Sequence, residues 1–158
     1  MNSHHTVAIG TWEGDKQQSI EYNSSIAVGI DYPRAKLRVS ILLDTIQEYQ
    51  VRYIFSDEEI SEAVNEAGLI IGARGIAYEG VLQRKPVIVV GEYGFGGLVT
   101  PDTLHEQYNN YFRGKINGIK AEYFSLERLE EEIRRGFALT FQELQMMSNQ
   151  TIRFLHNI

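Results

Sequence analysis

This sequence predicts an α/β fold, a doubly wound, Rossmann-like and mostly parallel sheet, on three observations. The apolar runs SSIAVGI, VRYIFS, GLIIGA and PVIVVG are short and rich in β-branched residues, as strands buried on both faces are. Polar or helical-period stretches separate them, the order that a parallel sheet with crossover helices requires. The chain has 158 residues, 43% of them apolar and 23% charged, which suffices for one core, so a single domain over residues 1–158 is expected.

Taken in order, Thr6 to Thr11 reads as a first strand running into a polar turn at Trp12–Lys16, and Ser24 to Ile30 as a second. Their pairing, hairpin or parallel, stays open. Pro33 suits the first turn of a helix, where its missing N–H costs nothing, and Asp31 is a candidate cap. That helix is expected to run to about Tyr49, with Leu37, Ile41, Leu42, Thr45, Ile46 and Tyr49 forming the stripe that lies on the sheet. Arg34, Lys36 and Arg38 crowd its start, and a solvated face explains them better than a phosphate or acceptor site. Val51 to Ser56 is the next strand, and Ser56 or Asp57 caps a short acidic helix ending near Ala67.

Gly68 to Ala73 is a buried strand, and Gly75 to Gln83 a helix closed by Arg84-Lys85 and stopped by Pro86. Pro86 to Gly91 forms a further strand, and Gly94 to Gly97 reads as a flexible loop. Asp102 to Phe112 is helical in pattern, Ala121 to Phe124 suits a short edge strand, Ser125 with Arg128 opens a charged helix, and Thr140 to Leu155 makes the last one.

Composition excludes several classes. No cysteine is present, which removes disulfides, thiolate metal sites, iron–sulfur clusters and a cysteine nucleophile. Twenty-one acidic against fifteen basic residues give a net charge of −6, a field that repels phosphate backbones and anionic lipid, so no nucleic-acid partner is expected. No window approaches 18 uninterrupted apolar residues, and the start has neither a cationic nor an apolar leader region, so a cytoplasmic protein without a membrane span is expected. Four scattered histidines give no zinc spacing, and Ser3, Ser24, Ser25 and Ser40 lack a nucleophile-elbow context. No metal, no cofactor and no catalytic residue is assigned.

In open parallel sheets, ligands bind beyond the carboxyl ends of the strands, where loops and helix N-termini converge. The candidate loops are Thr11 to Lys16, Ser56 to Glu59, Ala73 to Glu79, and Glu92 to Thr100. The third carries the clearest chemistry. Gly75 after Arg74 admits a ligand to the backbone, the helix start offers unpaired N–H groups to a phosphate, and Glu79 one turn on can accept from a sugar hydroxyl. A plain βα turn with a solvated Arg74 and a dipole partner at Glu79 accounts for the same residues equally well. Gly96 and Gly97 either wrap a ligand or form a mobile connection, the second being the simpler reading.

The stretch GLIIGARGIAYEGVLQRKPVIVVGEYGFGGLV resembles the carboxy-terminal half of glycosyltransferases of the GT-B class, in which a strand, a small-residue turn, a Glu-bearing helix, a Lys-Pro junction and a Val/Ile-rich strand follow in that order. The resemblance implies a nucleotide-sugar-binding domain serving polysaccharide biosynthesis. It places Gly75 and Ile76 against the nucleotide diphosphate, Glu79 on the ribose, and Phe55, Ser56 and Asp57 near the base. The sequence departs from that pattern in two ways. Pro86 stands seven positions after Glu79, where retaining members carry a second acid, and no amino-terminal acceptor-binding domain is recognised.

The substrate-binding residues expected are thus Arg74, Gly75, Ile76, Glu79, Phe55, Ser56, Gly96 and Gly97, with a nucleotide-sugar donor and an acceptor-binding domain or subunit as partners. The alternatives are a nucleotide-sugar epimerase or hydrolase half-domain, and a non-catalytic assembly module of the same fold.

Overall fold

In the computed structural model, residues 4–10 and 17–157 are described, with the stretches 4–10 and 17–22 as backbone course only. The Thr11–Lys16 loop and the side chains of His4 and His5 lie outside the described residues. Strands β1 (His4–Gly10) and β2 (Gln17–Asn23) pair antiparallel, His4 opposite Asn23 and Gly10 opposite Gln17. The polar run of β2 gives no strand signal in the sequence, and the first strand pairs with it rather than with Ser24–Ile30.

The main sheet contains β3 (Ser25–Gly29), β4 (Gln50–Tyr53), β5 (Leu69–Gly72), β6 (Val87–Gly91) and β7 (Gly94–Leu98) in the order β4-β3-β5-β6-β7. All pairs are parallel except β6 with β7. The expected parallel relation of the VRYIFS, GLIIGA and PVIVVG strands holds, and β3 lies between the first two. The molecule is a Rossmann-like doubly wound α/β domain. Leu69, Ile70, Ile71, Ile88, Val89 and Val90 are wholly buried, because helices cover both faces of a parallel sheet.

On one face, α1 (Pro33–Thr45) and α5 (Leu126–Phe137) pack on Ile26, Val28, Leu69, Ile71 and Ile88. On the other, α2 (Ile60–Glu66), α3 (Gly75–Leu82), α4 (Leu104–Asn109) and α6 (Phe141–His156) pack on Ala27, Ile70, Val87 and Val89. Ser125 caps α5 by accepting from the Arg128 N–H at 3.1 Å, and Thr140 with Glu143 closes a capping box on α6.

Four expectations need correction. Helix α1 stops at Thr45, and its buried side is Ala35, Val39, Leu42 and Leu43, while Leu37 and Ile41 are exposed; the small residues Ala35 and Val39 let the helix lie close, and the larger pair falls on the outer face. Tyr32, not Asp31, occupies the cap position of α1, without a side-chain cap bond. The Gly94–Gly97 stretch is a strand and no flexible loop. Ala121 to Phe124 forms turns, because β7 takes the sheet edge; Ala121 and Phe124 are nonetheless buried, with the Phe124 ring stacked on Phe95 at 4.6 Å.

The glycines of β7 reflect close approach. A Cβ at Gly96 would stand 2.8 Å from Gln107 Oε1, and one at Gly97, whose φ is +78°, would stand 2.8 Å from Glu132 Oε1. Gln107 donates to the Gly96 carbonyl at 2.8 Å, and the buried Glu132 carboxylate accepts from Arg135 at 2.7 Å. Both side chains therefore press on the strand backbone, and only glycine leaves room.

Candidate functional site

The strand order reverses its direction of growth between β3 and β5. From β3 the chain passes through α1 to β4 on one side; from β5 it passes through α3 to β6 on the other. At such a switch point the flanking connections part, leaving a crevice beyond the strand ends. A cavity of about 480 Å³ occupies that place, lined by Gly29 at the end of β3 and Asp31 beyond it, Ile54 to Asp57 and Ile60 after β4, and Ala73 to Ile76 after β5.

Its floor follows from two glycines. A Cβ on Gly72 would lie 2.6 Å from Ile76 Cγ2 and 2.4 Å from the Gly29 carbonyl oxygen, and one on Gly29 would lie 2.8 Å from Ile76 Cδ1. Their absence lets Ile76 sink onto the strand ends, which draws the start of α3 down onto the crevice. Gly75 itself is open, since a Cβ there would meet only Ile60 Cδ1 at 3.8 Å. The leading N–H groups of α3 have no partner within the helix and carry the positive end of its dipole. Arg74, between strand and helix, adopts φ 58° and ψ −125°, a conformation that costs a non-glycine residue about 1–3 kcal/mol. Its N–H donates to the Phe112 carbonyl at 2.9 Å.

Of the expected site residues, Arg74, Gly75, Ile76, Phe55 and Ser56 line this one cavity. Phe55 is 76% exposed at its rim, with Lys36 Nζ 4.4 Å from the ring centroid. Glu79 is half-buried one turn along α3, on the face of Gly75 but outside the cavity wall. Its Cα–Cβ bond tilts toward the helix N-terminus, as in any α-helix, and its carboxylate makes no hydrogen bond or ion pair with any described residue. Gly96 and Gly97 stand apart, in β7. The basic cluster does not converge: Arg34 pairs with Glu122 at 3.3 Å, Arg38 donates to the Phe124 carbonyl at 2.9 Å, and only Lys36 reaches the rim.

Sequence reasoning missed a charged group beside the crevice. Glu92, in the two-residue turn joining β6 to β7, accepts from Arg74 at 2.5 Å and lies 3.2 Å from Arg113 Nε. Arg113 Nη1 donates to the Tyr93 hydroxyl at 2.9 Å, a bond that raises the guanidinium pKa further. The position of Glu92 at a strand's carboxyl end was legible; nothing in the sequence joined it to Arg113. A second cavity of about 280 Å³ adjoins, lined by Ile30 to Pro33, Ala73, Arg74, Gly91 and Glu92.

Another cavity, of about 530 Å³, lies at the opposite end of the strands, between the starts of β3 and β4 and the end of α2. Helix ends there present carbonyls, which repel anions, and Arg52 beside it is engaged with Glu59 and Glu66. Among the described residues no group of three or more metal-ligating side chains occurs, and no helix is long and apolar enough to cross a membrane. No family model matches this chain, and comparison with curated proteins and with solved structures gives no match.

Proposed function

We propose that this chain is the nucleotide-sugar-binding domain of a GT-B-like glycosyltransferase, acting with an acceptor-binding domain or subunit. One observation carries the reading: the crevice at the switch point brings the exposed Phe55 and Ser56 of one connection onto the open helix start at Arg74 and Gly75 of another. An aromatic face suits a base, and unpaired N–H groups with a nearby guanidinium suit a diphosphate. Glu79, four residues beyond Gly75 on the same helix and without a side-chain partner among the described residues, suits the ribose hydroxyls. The same donors that hold the diphosphate in the bound donor stabilise it as it departs.

Calorimetric titration of nucleoside diphosphates tests this. The protein should bind them, and Phe55→Ala should weaken binding about threefold to tenfold through lost stacking. Glu79→Gln should weaken a ribonucleoside diphosphate about tenfold to a hundredfold, since a hydrogen bond to a charged group is worth about 1.5–3 kcal/mol, and should leave the deoxyribose analogue little changed. Absence of binding, or equal losses for ribose and deoxyribose ligands, overturns the respective assignments.

A further inference from the structure

We propose that Arg74 and Arg113 form a two-guanidinium clamp for an anion of the phosphate class, and that Glu92 occupies it as an internal stand-in. Both cations address the same oxygen, Arg74 Nη2 at 2.5 Å and Arg113 Nε at 3.2 Å from Glu92 Oε1. A carboxylate satisfied by arginines ordinarily uses both oxygens, fork to fork. Here the Arg113 Nε–H is not aimed at Oε1, so this buried donor lacks a hydrogen-bond acceptor among the described residues. A tetrahedral oxyanion, with several oxygens to distribute, satisfies two forks that one carboxylate oxygen does not.

Arg113 is held ready for this. Its guanidinium lies 5.5 Å from the Tyr93 ring centroid and 5.6 Å from that of Tyr111, and bonds the Tyr93 hydroxyl. Its carbonyl accepts from the Tyr93 N–H at 2.9 Å, and the preceding carbonyl, of Phe112, from the Arg74 N–H. Tyr111 and Phe112 take left-handed backbone, φ 58° and 50°, to bring the segment there. Glu92, by contrast, sits at a hairpin tip, 39% exposed, where a side chain swings out without disturbing the sheet. A cavity of about 280 Å³, walled by Arg74 and Glu92 though not by Arg113, adjoins the pair and gives an anion room. Asp31 is the other acid of its wall, and removal of the Glu92 charge leaves Arg74 and Arg113 without the carboxylate they share. As a seat for a nucleotide's phosphate the clamp rests on the reading above; as a site for free phosphate or diphosphate it does not.

Titration of pyrophosphate, a nucleoside diphosphate and the bare nucleoside into wild type, Glu92→Gln, and Glu92→Gln combined with Arg113→Met tests the clamp, with thermal melts confirming folding. Glu92→Gln should bind pyrophosphate about tenfold more tightly than wild type, because the internal competitor has lost its charge, and adding Arg113→Met should abolish that gain. Arg113→Lys in the same background should recover only part of it, since a point charge replaces a fork. If Glu92→Gln melts cooperatively and binds pyrophosphate no better than wild type, the cluster is a structural ion pair and the proposal falls. The two readings separate cleanly. Nucleoside diphosphate binding that is weakened by Phe55→Ala but unmoved by Glu92→Gln and Arg113→Met keeps the crevice and overturns the clamp; a pyrophosphate gain in Glu92→Gln without added affinity from the nucleoside keeps the clamp and overturns the crevice.

Discussion

The unit β5-α3-β6 and the segment from β7 to the start of α5 share one sheet, yet they are specified by different means. In the first, side chains do the work: Ile70, Ile71, Ile88 and Val89 are wholly buried and fill both faces. In the second, the β7 backbone is pressed by residues that follow it in the chain. Gln107 bears on Gly96, Glu132 on Gly97, and the Ile119 carbonyl accepts from the Phe95 N–H at 2.8 Å. The first region spreads its stability over transferred apolar area. The second concentrates it in a few contacts that a single methyl group violates.

The sharpest way to break this contrast is at Ile71. Ile71→Ala should cost about 2–5 kcal/mol through lost burial and a residual cavity, read from the denaturant midpoint; a loss below about 1 kcal/mol would show that the strand is not the core. Gly97→Ala should cost about 1–3 kcal/mol although it adds only one carbon, through overpacking against Glu132 and through a φ of +78°. Gly75→Ala, with the nearest contact at 3.8 Å, should instead be neutral or gain up to about 1 kcal/mol. Were the two glycine variants to melt alike, close approach would not be what distinguishes β7.

The smallest effect is one of pH. Burial, then the charges of Tyr108 and Tyr111, raises the Tyr78 pKa above its ordinary value. The folded state thus keeps this proton longer than the unfolded chain, so its contribution is complete below about pH 10 and is lost as pH rises through the folded pKa. Tyr53 acts in the same sense, again through burial first, whereas burial lowers the Lys85 pKa and makes its contribution rise toward alkaline pH. Tyr78→Phe should therefore flatten the alkaline fall in stability slightly, measured by parallel melts near pH 8 and pH 11.

The same division decides what the sequence reveals. Strands β3, β5 and β6 announce themselves because β-branched side chains buried on both faces leave a local signature, whereas β4, expected to be buried likewise, is an edge strand with no buried residue. The meeting of Arg74, Gly75, Phe55 and Ser56 at one cavity was legible too, since a crevice beyond strand ends needs only the strand boundaries. Strand β7 was hidden because glycine between strands reads as looseness until Gln107 and Glu132 are seen against it. The outward turn of Leu37 and Ile41 was hidden because Ala35 and Val39, smaller than either, suit the close contact better. Arg113 was out of reach for another reason. Its approach to Arg74 depends on left-handed backbone at Tyr111 and Phe112, which neither residue type signals.

The crevice draws its walls from three separate stretches, 29–31, 54–60 and 73–76, each following a different strand. No continuous fragment of the chain short of all three reproduces it, and none of the stretches has its final position until β3, β4 and β5 are aligned. Occupancy is thereby linked to the folding equilibrium as a whole: a ligand seated there stabilises the native state by RT ln(1 + [L]/Kd), about 2.7 kcal/mol at a hundredfold excess over Kd. Thermal shift against ligand concentration then doubles as a gauge of whether the switch point has formed, with no probe attached to the protein.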